Sequence, residues 1–66
     1  MLGTQIALLR QKAGLSQRQL AERLHLSNST AGMYEQGRRH PSLDILIALA
    51  REFGVTVDYL ITGHHP

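Results

Sequence analysis

The sequence of 66 residues contains no cysteine, so neither a disulfide framework nor a thiolate metal site can stabilise the fold. Its longest uninterrupted apolar run, residues 45–50, is far shorter than the roughly 18 residues that a membrane span requires. The N-terminus lacks the basic start and the small-residue cleavage site of a signal peptide. No segment has the alternation of Val, Thr and aromatic residues that strands require. We therefore expect an all-helical, soluble protein of the cytoplasm.

The length leaves room for one small domain, because a chain of about 60 residues buries only about 60% of the surface that its unfolded form exposes. Hydrophobic residues make up 42% of the sequence and charged residues 18%, which is a globular composition. We predict one domain over residues 1–63, followed by a short C-terminal tail at residues 64–66.

Charge is distributed unevenly along the chain. Residues 10–39 contain six basic and two acidic residues, a net charge of +4, whereas residues 40–66 contain one basic and three acidic residues, a net charge of −2. A basic front half indicates a face for a polyanion such as nucleic acid. The same distribution is also compatible with a merely solvated basic face.

Four predicted helices begin with one shared pattern. An apolar residue or proline precedes a hydroxyl residue, and a second apolar residue follows five positions after the first, which is typical of an N-cap with a hydrophobic staple. Glycine follows several of the predicted helix ends, where a left-handed residue is favoured. The predicted caps are Ser16, Ser27, Ser42 and Thr56. The predicted helices lie near residues 4–13, 17–24, 28–36, 43–53 and 57–62.

The second and third predicted helices are separated by only three residues, a spacing typical of two helices that cross steeply in a helix-turn-helix. Their apolar residues would face each other and the core, and Tyr34 belongs to that apolar face. A short helix with small and polar residues on its outer face fits the major groove of DNA, which is about 12 Å wide. That outer face comprises Asn28, Ser29, Gly32, Met33 and Gln36.

Five motifs occur in order along these predicted helices. They are Leu15-Ser16-Gln17, Leu20-Ala21-Glu22, Ser29-Thr30 with Tyr34-Glu35-Gln36-Gly37, Pro41-Ser42-Leu43, and Phe53-Gly54-Val55 with Asp58-Tyr59-Leu60. In these motifs the sequence resembles the phage-repressor/Cro-type helix-turn-helix proteins, the Xre family, over nearly the whole chain. The resemblance implies an all-α, compact five-helix domain, lambda-repressor-like, with the helix-turn-helix at helices 2 and 3. It also implies binding to double-stranded DNA.

The resemblance implies base contacts from Asn28, Ser29 and Met33. Asparagine can form two hydrogen bonds with adenine, serine can pair with several bases, and methionine can pack on a thymine methyl group. Asn28 and Ser29 are also residue types that cap helix starts, so a purely structural role for them stays open.

The resemblance further implies phosphate contacts outside the third predicted helix, which is the recognition helix of the helix-turn-helix. Backbone amides at a helix start and arginine side chains both attract phosphate. The implied contacts are Gln17, Arg18, Arg38, Arg39 and Ser42.

Arg10 and Glu35 match a structural ion pair of the family, and we therefore leave both out of the DNA contacts. The sequence also departs from the family pattern. His25 occupies a turn position where glycine is usual, and Gly32 lies inside the recognition helix, where glycine is unfavourable by about 0.8–1 kcal/mol relative to alanine. The recognition helix carries no Lys or Arg, which shifts the expected affinity towards the flanking arginines.

Metal, cofactor and enzyme chemistry find no support in the sequence. The histidines, including His64 and His65, have no cysteine or carboxylate at ligand spacing, so we predict neither a metal nor a cofactor. There is no glycine-rich phosphate loop and no nucleophile with an evident base. We also expect little room for a pocket of the usual size, about 300 Å³ or more. No small-molecule substrate is evident, and the protein is not expected to be an enzyme.

These observations favour a sequence-specific transcriptional regulator, a repressor that binds a pseudo-palindromic operator as a homodimer. The expected dimer surface is the C-terminal segment Val55–Ile61, although Leu60 and Ile61 could instead belong to the core. The alternative is a DNA-binding antitoxin or an interaction module whose main partner is another protein.

Overall fold

The computed structural model describes residues 1–64, and all regular secondary structure in that range is helical. The predicted five-helix, all-α fold is therefore confirmed, with helix ends that differ from the predicted ones by at most two residues. His65 and Pro66 of the predicted tail lie outside the described residues. The helices are α1 (Leu2–Lys12), α2 (Gln17–Arg23), α3 (Thr30–Gln36), α4 (Leu43–Phe53) and α5 (Val57–Thr62).

Three of the four predicted hydroxyl caps are confirmed. Ser16 forms a complete capping box at the start of α2: its Oγ accepts from the Gln19 backbone N–H at 3.0 Å, and Gln19 Oε1 accepts from the Ser16 backbone N–H at 2.8 Å. Ser42 and Thr56 accept from the backbone N–H groups of residues 45 and 59 at the starts of α4 and α5. Each cap satisfies an amide that would otherwise have no partner within its helix.

The prediction for Ser27 is wrong. Its hydroxyl is hydrogen-bonded to the hydroxyl of Thr30, which is buried, and its backbone carbonyl accepts from the Thr30 N–H at 3.0 Å. The buried threonine takes the serine oxygen that would otherwise cap the helix. As a result, Asn28 and Ser29 form a turn, and α3 begins at Thr30 rather than at residue 28.

The turn between α2 and α3 requires a left-handed residue. His25 adopts a φ of 56° and is the only non-glycine residue among those described with a positive φ. This conformation costs histidine less than it costs branched side chains. The departure from glycine at this position therefore leaves the helix-turn-helix geometry intact.

The core lies where all five helices meet. Ile6 of α1, Leu20 of α2, Leu49 of α4 and Leu60 of α5 are completely or almost completely buried. α3 contributes Ala31 and Tyr34 to the same cluster. Burial of each large aliphatic side chain contributes about 1.5–3 kcal/mol, and no helix here could persist alone at its length.

α1 packs closely against the C-terminal turn of α3. A Cβ atom added to Gly3 would lie 2.7 Å from the carbonyl oxygen of Tyr34 and 2.6 Å from that of Glu35. Real Cβ atoms essentially never approach backbone oxygens so closely, so glycine is needed at this crossing. α1 thereby supports the recognition helix directly.

We expect Gly3→Ala to lower the free energy of unfolding by about 1–3 kcal/mol, the usual cost of overpacking, although alanine normally favours a helix. Gly32→Ala is the matched control, because its new Cβ would meet the end of a flexible side chain rather than backbone. Urea denaturation of the two variants and of the unaltered chain measures the three free energies of unfolding. A Gly3→Ala variant as stable as the unaltered chain would contradict this packing.

Candidate nucleic-acid interface

The recognition segment, residues 28–36, is exposed at its N-terminal end. Asn28 and Ser29 are both accessible in the turn before α3, whereas Met33 is half-buried. Gly32, predicted on the outer face, is buried instead. The accessible side chains of this segment therefore come mainly from its start and from Gln36 at its end.

The ion pair of Arg10 and Glu35 joins α1 to the last turn of α3. Arg10 Nε donates to Glu35 Oε2 at 2.7 Å, and Arg10 Nη2 donates to Glu35 Oε1 at 3.2 Å. The remaining terminal nitrogen, Nη1, donates to the backbone carbonyl of Leu15 at 2.8 Å. The side chains are only 13% and 8% exposed, so the pair is shielded from solvent, and removing either partner would leave an uncompensated charge in a partly buried site.

Gln17, the first residue of α2, also reaches Glu35. Its side-chain Nε2 donates to Glu35 Oε1 at 3.1 Å. Its Oε1 lies over Gly32, where an added Cβ would come within 3.0 Å of it. The resemblance to the family pointed to Gln17 only as a phosphate contact; the glycine at position 32 was the one sequence signal for this second set of contacts.

The C-terminal end of α3 determines the position of the two arginines in the following loop. Gly37 ends the helix with a φ of 74°, and the Arg38 backbone N–H donates to the Met33 carbonyl at 2.9 Å. This 6→1 hydrogen bond is typical of a Schellman motif. Arg38 is thus tied directly to the recognition helix, and both Arg38 and Arg39 are exposed.

Arg18 and Ser42, the other predicted phosphate contacts outside the loop, are also exposed. Arg18 Nε lies 3.9 Å from Oε2 of Glu22 on the same helix. Because the two side chains are 74% and 61% exposed, Arg18 remains accessible to an anion. The Ser42 hydroxyl oxygen accepts from the Ile45 N–H at 3.3 Å. Because a hydroxyl both accepts and donates, its own proton can still be given to a phosphate.

An ion pair between α2 and α4 has no signal in the sequence. Arg23 Nη1 donates to Glu52 Oε2 at 2.6 Å. The two residues lie 29 positions apart on different helices, so the spacing of side chains along one helix could not predict the pair. The pair gives Arg23 an acidic partner within the fold, although its side chain is still 55% exposed.

The C-terminal segment divides between core and surface. Leu60 is completely buried, whereas Ile61 is 45% exposed. Of the two aliphatic residues that the sequence left undecided, Leu60 therefore belongs to the core, and Ile61 stays accessible.

An open groove of about 430 Å³ lies between the first turn of α1, the loop after α3, and α4 and α5, with Tyr34, Leu46 and Ile61 among its walls. We expected little room for a pocket of about 300 Å³ or more, and this open groove exceeds that volume. Within residues 1–64 no three His, Asp or Glu side chains come together as metal ligands would; His65 lies outside the described residues. No described helix is long and apolar enough to cross a membrane.

Comparison with known proteins gives consistent matches. Residues 6–60 match the helix-turn-helix family. The chain is 38% identical over 60 residues to the HTH-type transcriptional regulator ImmR of Bacillus subtilis (strain 168), covering 91% of this chain and 47% of ImmR. It is 34% identical over 62 residues to the uncharacterized HTH-type transcriptional regulator y4dJ of Sinorhizobium fredii (strain NBRC 101917 / NGR234), covering 94% of this chain and 80% of that protein. The chain thus spans about half the length of ImmR.

A solved structure, that of the P22 c2 repressor protein in complex with synthetic operator 9T in the presence of Tl⁺, matches with a TM-score of 0.90 and 26% sequence identity. The match covers 97% of each chain. The similarity extends over all five helices, and so over the segment that carries Asn28 to Arg39.

We expect Arg10→Lys to lower the free energy of unfolding by about 1–3 kcal/mol, because lysine cannot reproduce the paired contact with Glu35 and the bond to the Leu15 carbonyl. Arg18→Lys is the matched control and should change stability by less than about 0.5 kcal/mol, since its pair is exposed. Chemical denaturation at low temperature measures the free energy of unfolding of both variants. If both substitutions lower it by the same small amount, the shielded pair is not important for stability.

Proposed function

Since this chain belongs to the helix-turn-helix family of transcriptional regulators, we propose that it is a sequence-specific regulator that binds double-stranded DNA and represses transcription by occupying an operator. The observation that carries the proposal is the exposed turn at Asn28 and Ser29. It lies directly before a helix that both α1 and α2 contact through Glu35. We accordingly assign the protein to the cytoplasm and assign it no enzymatic function.

Base recognition is assigned to Asn28, Ser29 and Met33. Asn28 and Ser29 are exposed in the turn before α3, so their polar groups are available to base edges in the major groove. Neither side chain caps α3, which supports recognition over the capping role that the sequence left open. The half-buried Met33 offers an apolar surface for a thymine methyl group.

Phosphate contacts are assigned around this recognition segment. Arg38 and Arg39 follow α3 directly, and Ser42 opens α4 with a hydroxyl proton to donate. Arg18 and the backbone amide of Gln17 lie at the start of α2. Such contacts orient a protein on the duplex without reading its sequence.

Two copies of the chain are needed to read a whole operator. One copy offers only three base contacts, whereas a symmetric pair would place its two recognition helices in successive major grooves about 34–36 Å apart. We assign the homodimer contact to the exposed part of Val55–Ile61, with Ile61 at its centre because Leu60 is enclosed in the core. A two-fold dimer then recognises a pseudo-palindromic site.

The alternative of an interaction module with a protein as its main partner has less support. The relatives that match most of this chain are named as transcriptional regulators, and the neighbouring solved structure is a repressor bound to operator DNA. A DNA-binding antitoxin would share the same interface and differ only in its protein partner.

We expect Asn28→Ala to weaken binding to a selected operator by about 1–3 kcal/mol and to relax the preference at one base pair of each half-site. Binding to random duplex should be nearly unchanged. Fluorescence anisotropy with operators altered at single base pairs measures both quantities. Equal losses on specific and random DNA would reject the base contact.

We expect Arg38→Ala to weaken binding to all duplexes alike and to reduce the slope of log K against log salt by about 0.9, the value for one lost phosphate contact. Arg51→Ala is the matched control: this exposed arginine lies in the last turn of α4, in the acidic half of the chain, and its loss should leave the slope unchanged. A salt titration of both variants on one duplex decides the question. If the two slopes remain equal, Arg38 does not contact a phosphate.

A further inference from the structure

The side-chain amide of Gln17 lies across the recognition helix at a point where the helix has no side chain. Its Nε2 donates to Glu35 Oε1 at 3.1 Å, and a Cβ on Gly32 would come within 3.0 Å of its Oε1. Gly32 is itself buried. The amide therefore fits into the space that the glycine leaves open.

Glu35, which accepts this hydrogen bond, is immobilised by a second partner. Arg10 holds the same carboxylate through two nitrogens, with Nε at 2.7 Å from Oε2. A hydrogen bond to a fixed carboxylate constrains both the distance and the direction of its donor. By contrast, the apolar core to which α2 contributes Leu20 and α3 contributes Ala31 holds the helices together without a preferred direction.

We propose that Gln17 is a positioning residue for DNA recognition, and that Gly32 is required because its missing side chain lets the Gln17 amide cross α3 to Glu35. The bridge fixes the start of α2, with its phosphate contact Arg18, relative to the segment that carries the base contact Asn28. This inference rests on the proposed DNA-binding function. It also accounts for a helix-weakening glycine inside α3 without requiring DNA to approach the backbone there.

A double-mutant cycle tests the bridge, with the variants Gly32→Ala, Gln17→Ala and the combination of both. Each single variant should raise the Kd for the selected operator about three- to tenfold, as expected for loss of one exposed hydrogen bond to a carboxylate. The combined variant should raise it no further, because both changes remove the same contact. Gly32→Ala should unfold at the same temperature as the unaltered chain or higher, since alanine favours the helix.

Independent, additive losses in Kd would overturn the proposal, because Gly32 would then act on DNA without Gln17. An unchanged Kd for Gly32→Ala would overturn it as well. Gln11→Ala is the matched control: it removes the same side chain from an exposed position of α1 and should leave the Kd unaltered.

A measurement without DNA separates failure of this inference from failure of the proposed function. NMR of the free protein should show nuclear Overhauser contacts between the Gln17 Nε2 protons and the Gly32 Hα protons, and Gly32→Ala should shift the Gln17 side-chain amide resonances. Absence of both signals would overturn the bridge while leaving DNA binding intact. If the signals are present but the unaltered chain binds no duplex, the proposed function fails, and the positioning role is overturned with it.

Discussion

The carboxylate of Glu35 is the constraint on which the interface depends. Only seven residues form α3, and a helix of that length has no stability of its own in water. Glu35 ties its last turn to α1 through Arg10 and to α2 through Gln17. Because the third donor of Arg10 binds the Leu15 carbonyl just before α2, one guanidinium holds three parts of the fold together. The recognition segment is thus presented by its neighbours rather than by its own helical propensity.

Small residues determine how closely those neighbours approach. Gly3 allows α1 to reach the carbonyl groups at the end of α3, and Gly32 accommodates the Gln17 amide. Ala21 and Ala31 are buried in the same core cluster. Both glycines lie in helices, where glycine is intrinsically unfavourable, so close packing offsets local propensity here. These small residues determine how closely α1 and α2 approach α3, and the ionic and hydrogen-bonded contacts of Glu35 determine how the three helices are oriented.

Local features of the fold were predictable from the sequence, because a cap or a helix end depends on residues within one turn. This explains the correct starts at Ser16, Ser42 and Thr56. The predicted cap at Ser27 is wrong because of a tertiary contact: the hydroxyl of Ser27 is bonded to the hydroxyl of the buried Thr30. Neither the pair of Arg23 with Glu52 nor the burial of Gly32 has a periodic signal, since both depend on how separate helices are arranged. The basic residues near α3 were located by family resemblance and by charge, and their roles toward DNA remain predictions.

The structure places an exposed turn at Asn28 and Ser29 before α3 and exposed arginines after it. This arrangement is suited to reading bases while the flanking arginines bind the DNA backbone. Selection of bound sequences from a random duplex library with the unaltered chain tests this most directly. We expect an enriched, pseudo-palindromic sequence whose half-sites lie about 10–10.5 base pairs apart from centre to centre. A bound pool with no enriched sequence would contradict it.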